Sequence, residues 1–255
     1  MWADPARRPS PIFLGFVVAF VAGGWLAWAT SGTLARVGVF VFVAAGWIVS
    51  LCLHEFGHAY LAWRAGDRGV EARGYLTLNP LRYSHAGLSF VLPLLFLLLG
   101  GIGLPGGAVY VNPSMFRSRL RASLVSAAGP LANVVFAVVL AGLVRSLAGQ
   151  QHLVFWGGVA FLAFLQVTAA VLNLLPVPGL DGYGIAEPHL PPHWSRQANQ
   201  IAPFGLLIII ALLWVPQLNQ VFFGLVFAIT DALGVPVFLV GTGDTLFRFW
   251  LGLFG

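Results

Sequence analysis

The chain has 255 residues, of which 59% are hydrophobic and 8% charged, with a formal net charge of +5. Too few polar side chains remain to cover a water-soluble globule of that size, so the composition excludes a soluble enzyme and specifies an integral membrane protein. All 13 basic residues are arginines scattered between apolar runs, which excludes a nucleic-acid surface and assigns the charge to orienting helices against the cytoplasmic leaflet.

Apolar runs of spanning length occur at about 12–30, 37–63, 122–148, 154–175, 198–215 and 218–238, with a shorter, glycine-broken run at 88–104. Before the first run, Arg7-Arg8 resembles the start of a secretory signal, and Ala27-Trp28-Ala29 resembles a cleavage site. The run of about 18 apolar residues is longer than a signal core, however, and reads as a retained transmembrane helix. Arg64, Arg68, Arg73 and Arg82 mark the loop after the second run as cytoplasmic, and Arg7 and Arg8 put the N-terminus on the same side. If 88–104 crossed, the loop with Arg117, Arg119 and Arg121 would be exported against the charge rule, and His54 would be separated from the segment after Leu175. Leu88–Leu99 is therefore expected to enter to half depth, break at Gly100–Gly107 and return through Ala108–Val111, where protein or a water-filled cavity must cover the irregular backbone. The fold expected is an all-α polytopic membrane protein of about six transmembrane helices, with a re-entrant, partly β hairpin element between the second and third. It forms a single domain over 1–255, with a core at about 37–185, accessory helices at 12–30 and 198–238, and both termini cytoplasmic.

The second run contains His54-Glu55-Phe56-Gly57-His58. On a helix, positions i and i+4 share a face, so both imidazoles can reach one tetrahedral zinc while Glu55 flanks the vacant position. Two histidines and a glutamate at membrane depth each cost several kcal/mol unless paired or ligating, by order of magnitude. A catalytic zinc needs a third protein ligand. Asp4 is terminal, Asp67 and Glu71 sit in the arginine-rich loop, and Asp231 and Asp244 lie near the end, so Asp181 and Glu187 remain. Asp181 follows an apolar helix in a stretch, 173–182, that Pro176, Pro178 and Gly179 unwind beside a polar cavity; a carboxylate there calls for a cation, the alternative being a cap for the next segment. His85 and His152 read as interface residues, and His189 and His193 are left without a role. Cys52 is the only cysteine, so no internal disulfide forms.

Three motifs in this order, His54–His58, Ala128-Gly129-Pro130-Leu131-Ala132-Asn133 and Asn173–Gly182, make the chain resemble the site-2 proteases, the intramembrane zinc metalloproteases. The resemblance covers roughly residues 45–185, and Gly74–Leu81 is similar to a loop of small members that lack a periplasmic recognition domain. It implies one Zn2+ per chain held by His54, His58 and Asp181, Glu55 as the catalytic carboxylate, and Asn173 and Asn133 near the bound substrate backbone. It further implies cleavage within transmembrane segments of single-span membrane proteins, anti-sigma factors among them. The enzyme would be a multi-pass protein of the inner or plasma membrane, in contact with the lipid bilayer and open toward the cytoplasm. Gly179 departs from the resemblance, since many relatives carry proline there, and so does Tyr183-Gly184, in place of a commoner glycine pair. Two other readings compete. A membrane metal-ion transporter or sensor would use the same His/Asp cluster but give Glu55 no task, and the intact Glu55 weighs against a non-catalytic client-binding relative.

Overall fold

The computed structural model describes residues 8–83 and 109–250. Helix α1 (Pro11–Ala29) starts where the Ser10 hydroxyl accepts the Phe13 N–H at 3.2 Å, with Pro11 in the first turn, where a missing N–H costs nothing. Helix α2 (Gly32–Ala65) has 34 residues. At 1.5 Å per residue it is about 51 Å long, well beyond the ~30 Å of bilayer hydrocarbon, so it tilts or projects into the headgroups. The two helices pack side by side, with Phe20 stacked on Phe42 at a centroid distance of 4.6 Å.

Helix α4 (Arg119–Leu147) follows a short helix α3 (Gly69–Ala72) and 3-10 turns at Tyr75–Thr77, Pro80–Arg82 and Pro113–Met115. Helix α5 (Leu153–Asn173) is buried along most of its length between α2, α4 and the C-terminal helices, which makes it the central post of the bundle. The turn before it is pinned to α1: the His152 ring stacks on Trp28 at 3.7 Å and its Nδ1 lies 3.0 Å from the Trp28 carbonyl oxygen. Then come α6 (Asp181–Ala186), α7 (Pro192–Ile201), α8 (Gly205–Trp214), α9 (Pro216–Ala232) and α10 (Val237–Phe247), the last packed on α5.

The architecture is all-helical among the described residues, and α1, α2, α4 and α5 are each long and apolar enough to cross a membrane. The two C-terminal runs differ from the expected single crossings. Pro203, inside a 3-10 turn, splits the run at 198–215 and leaves α8 with 10 residues, about 15 Å, half the hydrocarbon thickness. Gly234, at φ +83°, and Pro236 break the run at 218–238, so that α9 and α10 meet at 114° and count as at most one crossing. The described residues thus give four to five crossings, where the apolar runs led to six. The expected re-entrant element falls on residues 84–108, outside the described ones, as does His85; its return, Val109–Val111, forms no strand.

That return segment is tied to the loop after α2. The buried carboxylate of Asp67 accepts the Gly69 N–H at 2.9 Å and the Asn112 N–H at 2.8 Å, and the Arg73 guanidinium donates to the Tyr110 carbonyl at 3.2 Å while covering its ring. Asp67→Ala strands both amides and is expected to cost about 2–3 kcal/mol. The loss should be visible as a lower unfolding temperature in detergent and faster proteolysis at 109–118, with Asp67→Asn, which keeps one acceptor, falling in between.

Candidate metal centre

One face of α2 carries His54, Glu55 and His58, all buried, at 6%, 3% and 8% exposure. The partner segment is shaped by its prolines. Pro176 and Pro178 have no N–H to continue α5, so the chain leaves the helix after Asn173 through tight turns, Val177 N–H to Leu175 O at 2.8 Å and Leu180 N–H to Val177 O at 2.9 Å. Gly179 sits at φ +97°, and a Cβ there would come within 2.4 Å of the Ala202 carbonyl oxygen. Proline, locked near φ −65°, could not take this conformation, so a glycine suits the backbone at this position. An extended Leu180 then delivers Asp181 as the first residue of α6.

These turns bring Asp181 to the two histidines. His54 Nε2 lies 3.1 Å from His58 Nε2 and 3.2 Å from Asp181 Oδ2, and His58 Nε2 lies 3.3 Å from Asp181 Oδ1. Tetrahedral zinc with bonds near 2.0–2.1 Å separates its donors by about 3.3 Å, which is the spacing found here. The hydrogen-bond pattern points the same way. His58 Nδ1 lies 2.7 Å from the Val125 carbonyl, which can only accept, so Nδ1 carries a hydrogen, and in the neutral ring Nε2 is the nitrogen left with a lone pair. His54 Nδ1 lies 2.6 Å from Asn133 Oδ1 and has the same arrangement. Two ring nitrogens and a carboxylate thus converge in a buried space, and a cation held among them satisfies all three.

The space for the ion comes from α4. A Cβ added at Gly129 would lie 2.2 Å from His58 Nε2 and 2.5 Å from His54 Nε2, close to metal–ligand bond lengths. The donor set and the void fit zinc, and His54, His58 and Asp181 are the group of metal-ligating side chains among the described residues. Glu187, the other acidic candidate, instead accepts from Asn199 Nδ2 at 2.6 Å.

Around this core, Glu55 Oε2 accepts the Val109 N–H at 3.0 Å, so the segment latched by Asp67 lies against Glu55. Asn133 is 3% exposed and its amide is committed at both ends, to His54 and, through Nδ2, to Gln166 Oε1 at 2.9 Å. Asn173 is buried as the last residue of α5. His189 Nε2 lies 3.1 Å from the Ser123 hydroxyl, which donates to the Ile185 carbonyl at 2.7 Å, and His193 neighbours Trp194; neither joins the cluster. Sequence reasoning passed over Gln166 and the void at Gly129. The first had a signal, an amide in the middle of an apolar helix, where a polar side chain must find a partner.

A family model described as Peptidase family M50 matches residues 42–155. The chain is 56% identical over 250 residues, 97% of its length and 96% of the relative's, to a Mycolicibacterium smegmatis protein named "Putative zinc metalloprotease Rip2". It is 54% identical over 246 residues, 95% of each chain, to the Mycobacterium tuberculosis protein of the same name. A Bacillus subtilis protein named "Putative zinc metalloprotease YwhC" is 32% identical over 177 residues, 66% of this chain and 78% of that one. No solved structure gives a significant match.

Gly129→Ala places a methyl group where the ion would sit. The purified variant should carry little or no zinc by elemental analysis while keeping its helical circular dichroism.

Proposed function

The chain belongs to peptidase family M50, and on that premise we propose how its residues divide the work. It is a zinc metalloprotease integral to the membrane through several apolar helices, and its substrates are membrane proteins cut within the bilayer. We assign His54, His58 and Asp181 as the zinc ligands and Glu55 as the general base. The observation that carries this reading is the convergence of two imidazole nitrogens and a carboxylate, 3.1–3.3 Å apart, beside the space that the missing side chain of Gly129 leaves, with Glu55 next to them. Zinc, when bound there, supplies a Lewis acid that lowers the pKa of water toward 7 and polarises a carbonyl.

The protein's own groups account for the rest. Glu55 is one residue from His54 and outside the ligand triad, so its carboxylate is available to take the proton of the attacking water and pass it to the leaving amine. The Val109 N–H, held in place by the Asp67 and Arg73 contacts, fixes the orientation of that carboxylate. A helical peptide hides its carbonyls in hydrogen bonds, so the substrate must unwind before attack. The chain at 109–111 offers an edge along which an extended substrate adds as a strand. Asn173 is assigned to the substrate backbone. Asn133, expected from resemblance to do the same, is assigned to holding His54, because both ends of its amide are engaged.

The site is proposed to open toward the cytoplasm. Arg64, Arg68, Arg73 and Arg82 follow His58 within one loop, and at 1.5 Å per residue the metal lies roughly 10–15 Å below Arg64. Residues 1–255 are read as one membrane-embedded domain, and single-span tethered regulators of the anti-sigma-factor kind are the substrate class it suits. A metal transporter would use the same cluster, but the buried Glu55, aligned by a backbone amide outside the triad, favours hydrolysis.

Glu55→Gln should lower cleavage of a co-expressed single-span substrate by about 100-fold or more while zinc content stays at the parent level. Cleavage at the parent rate would remove Glu55 from the mechanism. Val109→Pro, which deletes the N–H facing Glu55, should reduce kcat with zinc retained, and unchanged cleavage would argue against the alignment of Glu55 by this amide.

A further inference from the structure

Gln166 lies in the middle of α5 with no exposed surface, and nothing in the catalytic reading above uses it. We propose that Gln166 is a positioning residue for the metal site: by accepting the Asn133 amide hydrogen it makes Asn133 present its oxygen to His54, and so selects the tautomer in which His54 Nε2 can bind a metal. The proposal rests on the ligand role assigned to His54.

A neutral imidazole has one N–H, so a histidine that ligates through Nε2 must carry its hydrogen on Nδ1 and needs an acceptor there. At 2.6 Å, that acceptor is Asn133 Oδ1. An amide can turn over and exchange its oxygen for its NH2 with almost no change of shape. Turned over, Asn133 would donate to His54 Nδ1, shift the ring hydrogen to Nε2 and put it where the ion belongs. The choice is made on the far side of the amide, where Asn133 Nδ2 donates to Gln166 Oε1 at 2.9 Å. Without that oxygen, the buried NH2 has no acceptor on that side and is driven toward His54, against metal binding. Gln166 meets the site through Oε1 alone, its Nε2 having no partner among the described residues.

The test is zinc affinity of the purified full-length chain, by competition with a chelator of known affinity. Gln166→Met keeps length and volume but removes the acceptor, and should weaken zinc about 10- to 100-fold. Gln166→Glu keeps an oxygen that can face Asn133 and should stay within about threefold of the parent; since Met and Glu both preserve the volume, a difference between the two variants reads the acceptor and not the packing. Asn133→Asp offers oxygen at both ends and sets the His54 tautomer by itself, so adding Gln166→Met in that background should change zinc affinity by less than about threefold. The inference is overturned if Gln166→Met binds zinc as tightly as the parent, if Gln166→Glu loses affinity as Gln166→Met does, or if Gln166→Met costs the same with and without Asn133→Asp. His54→Ala separates the two levels: retention of zinc by that variant defeats the ligand assignment itself, whereas its loss, with Gln166→Met unaffected, defeats only the role of Gln166.

Discussion

Two imidazoles and a carboxylate aimed at one buried point set the terms for this molecule. His54 and His58 each turn Nδ1 outward, to Asn133 and to the Val125 carbonyl, and turn Nε2 toward each other and Asp181. In water such an arrangement would be dispersed by solvent, whereas inside an apolar bundle it makes a ready seat for a cation. Much of the packing nearby builds that seat. Helix α4 offers a carbonyl, an amide and a missing side chain, at Val125, Asn133 and Gly129, and α5 offers the amide behind the amide.

The proline-rich exit from α5 is as much a part of the site as the histidine pair. Asp181 is 123 residues beyond His58 in the chain, and what carries it back is a sequence of tight turns that only prolines and a left-handed glycine sustain. Asp67 plays a similar part on the other side. Lying outside the metal cluster, it spends both carboxylate oxygens on backbone amides and so draws 109–112 across to Glu55. A buried charge of this kind is costly alone and becomes structural once each oxygen has a donor.

Much of this was legible in the residues. His54 and His58 four apart within a spanning run give a candidate metal pair by helical periodicity, and setting aside the terminal and arginine-loop acids leaves Asp181 and Glu187, of which Asp181 stands where Pro176, Pro178 and Gly179 unwind the chain after an apolar helix. Helices α1, α2, α4 and α5 follow from long apolar runs. The C-terminal part was less so: hydropathy averages over Pro203, Gly234 and Pro236, while the backbone breaks at each, so two apparent crossings became α8 and a sharply bent α9–α10 pair. The partner of an amide is equally invisible to pattern. Asn133 matches a motif linked to substrate, yet its geometry ties it to His54, and the contact with Gln166 joins residues 33 apart on different helices.

The account stands on which atoms surround the ion, and zinc K-edge X-ray absorption on the purified protein reads them directly. It predicts a first shell of light atoms only, at about 2.0–2.1 Å, with the outer-shell scattering of two imidazoles. A sulfur scatterer at about 2.3 Å, which only Cys52 or a methionine could supply, or the signature of a single imidazole, would contradict it.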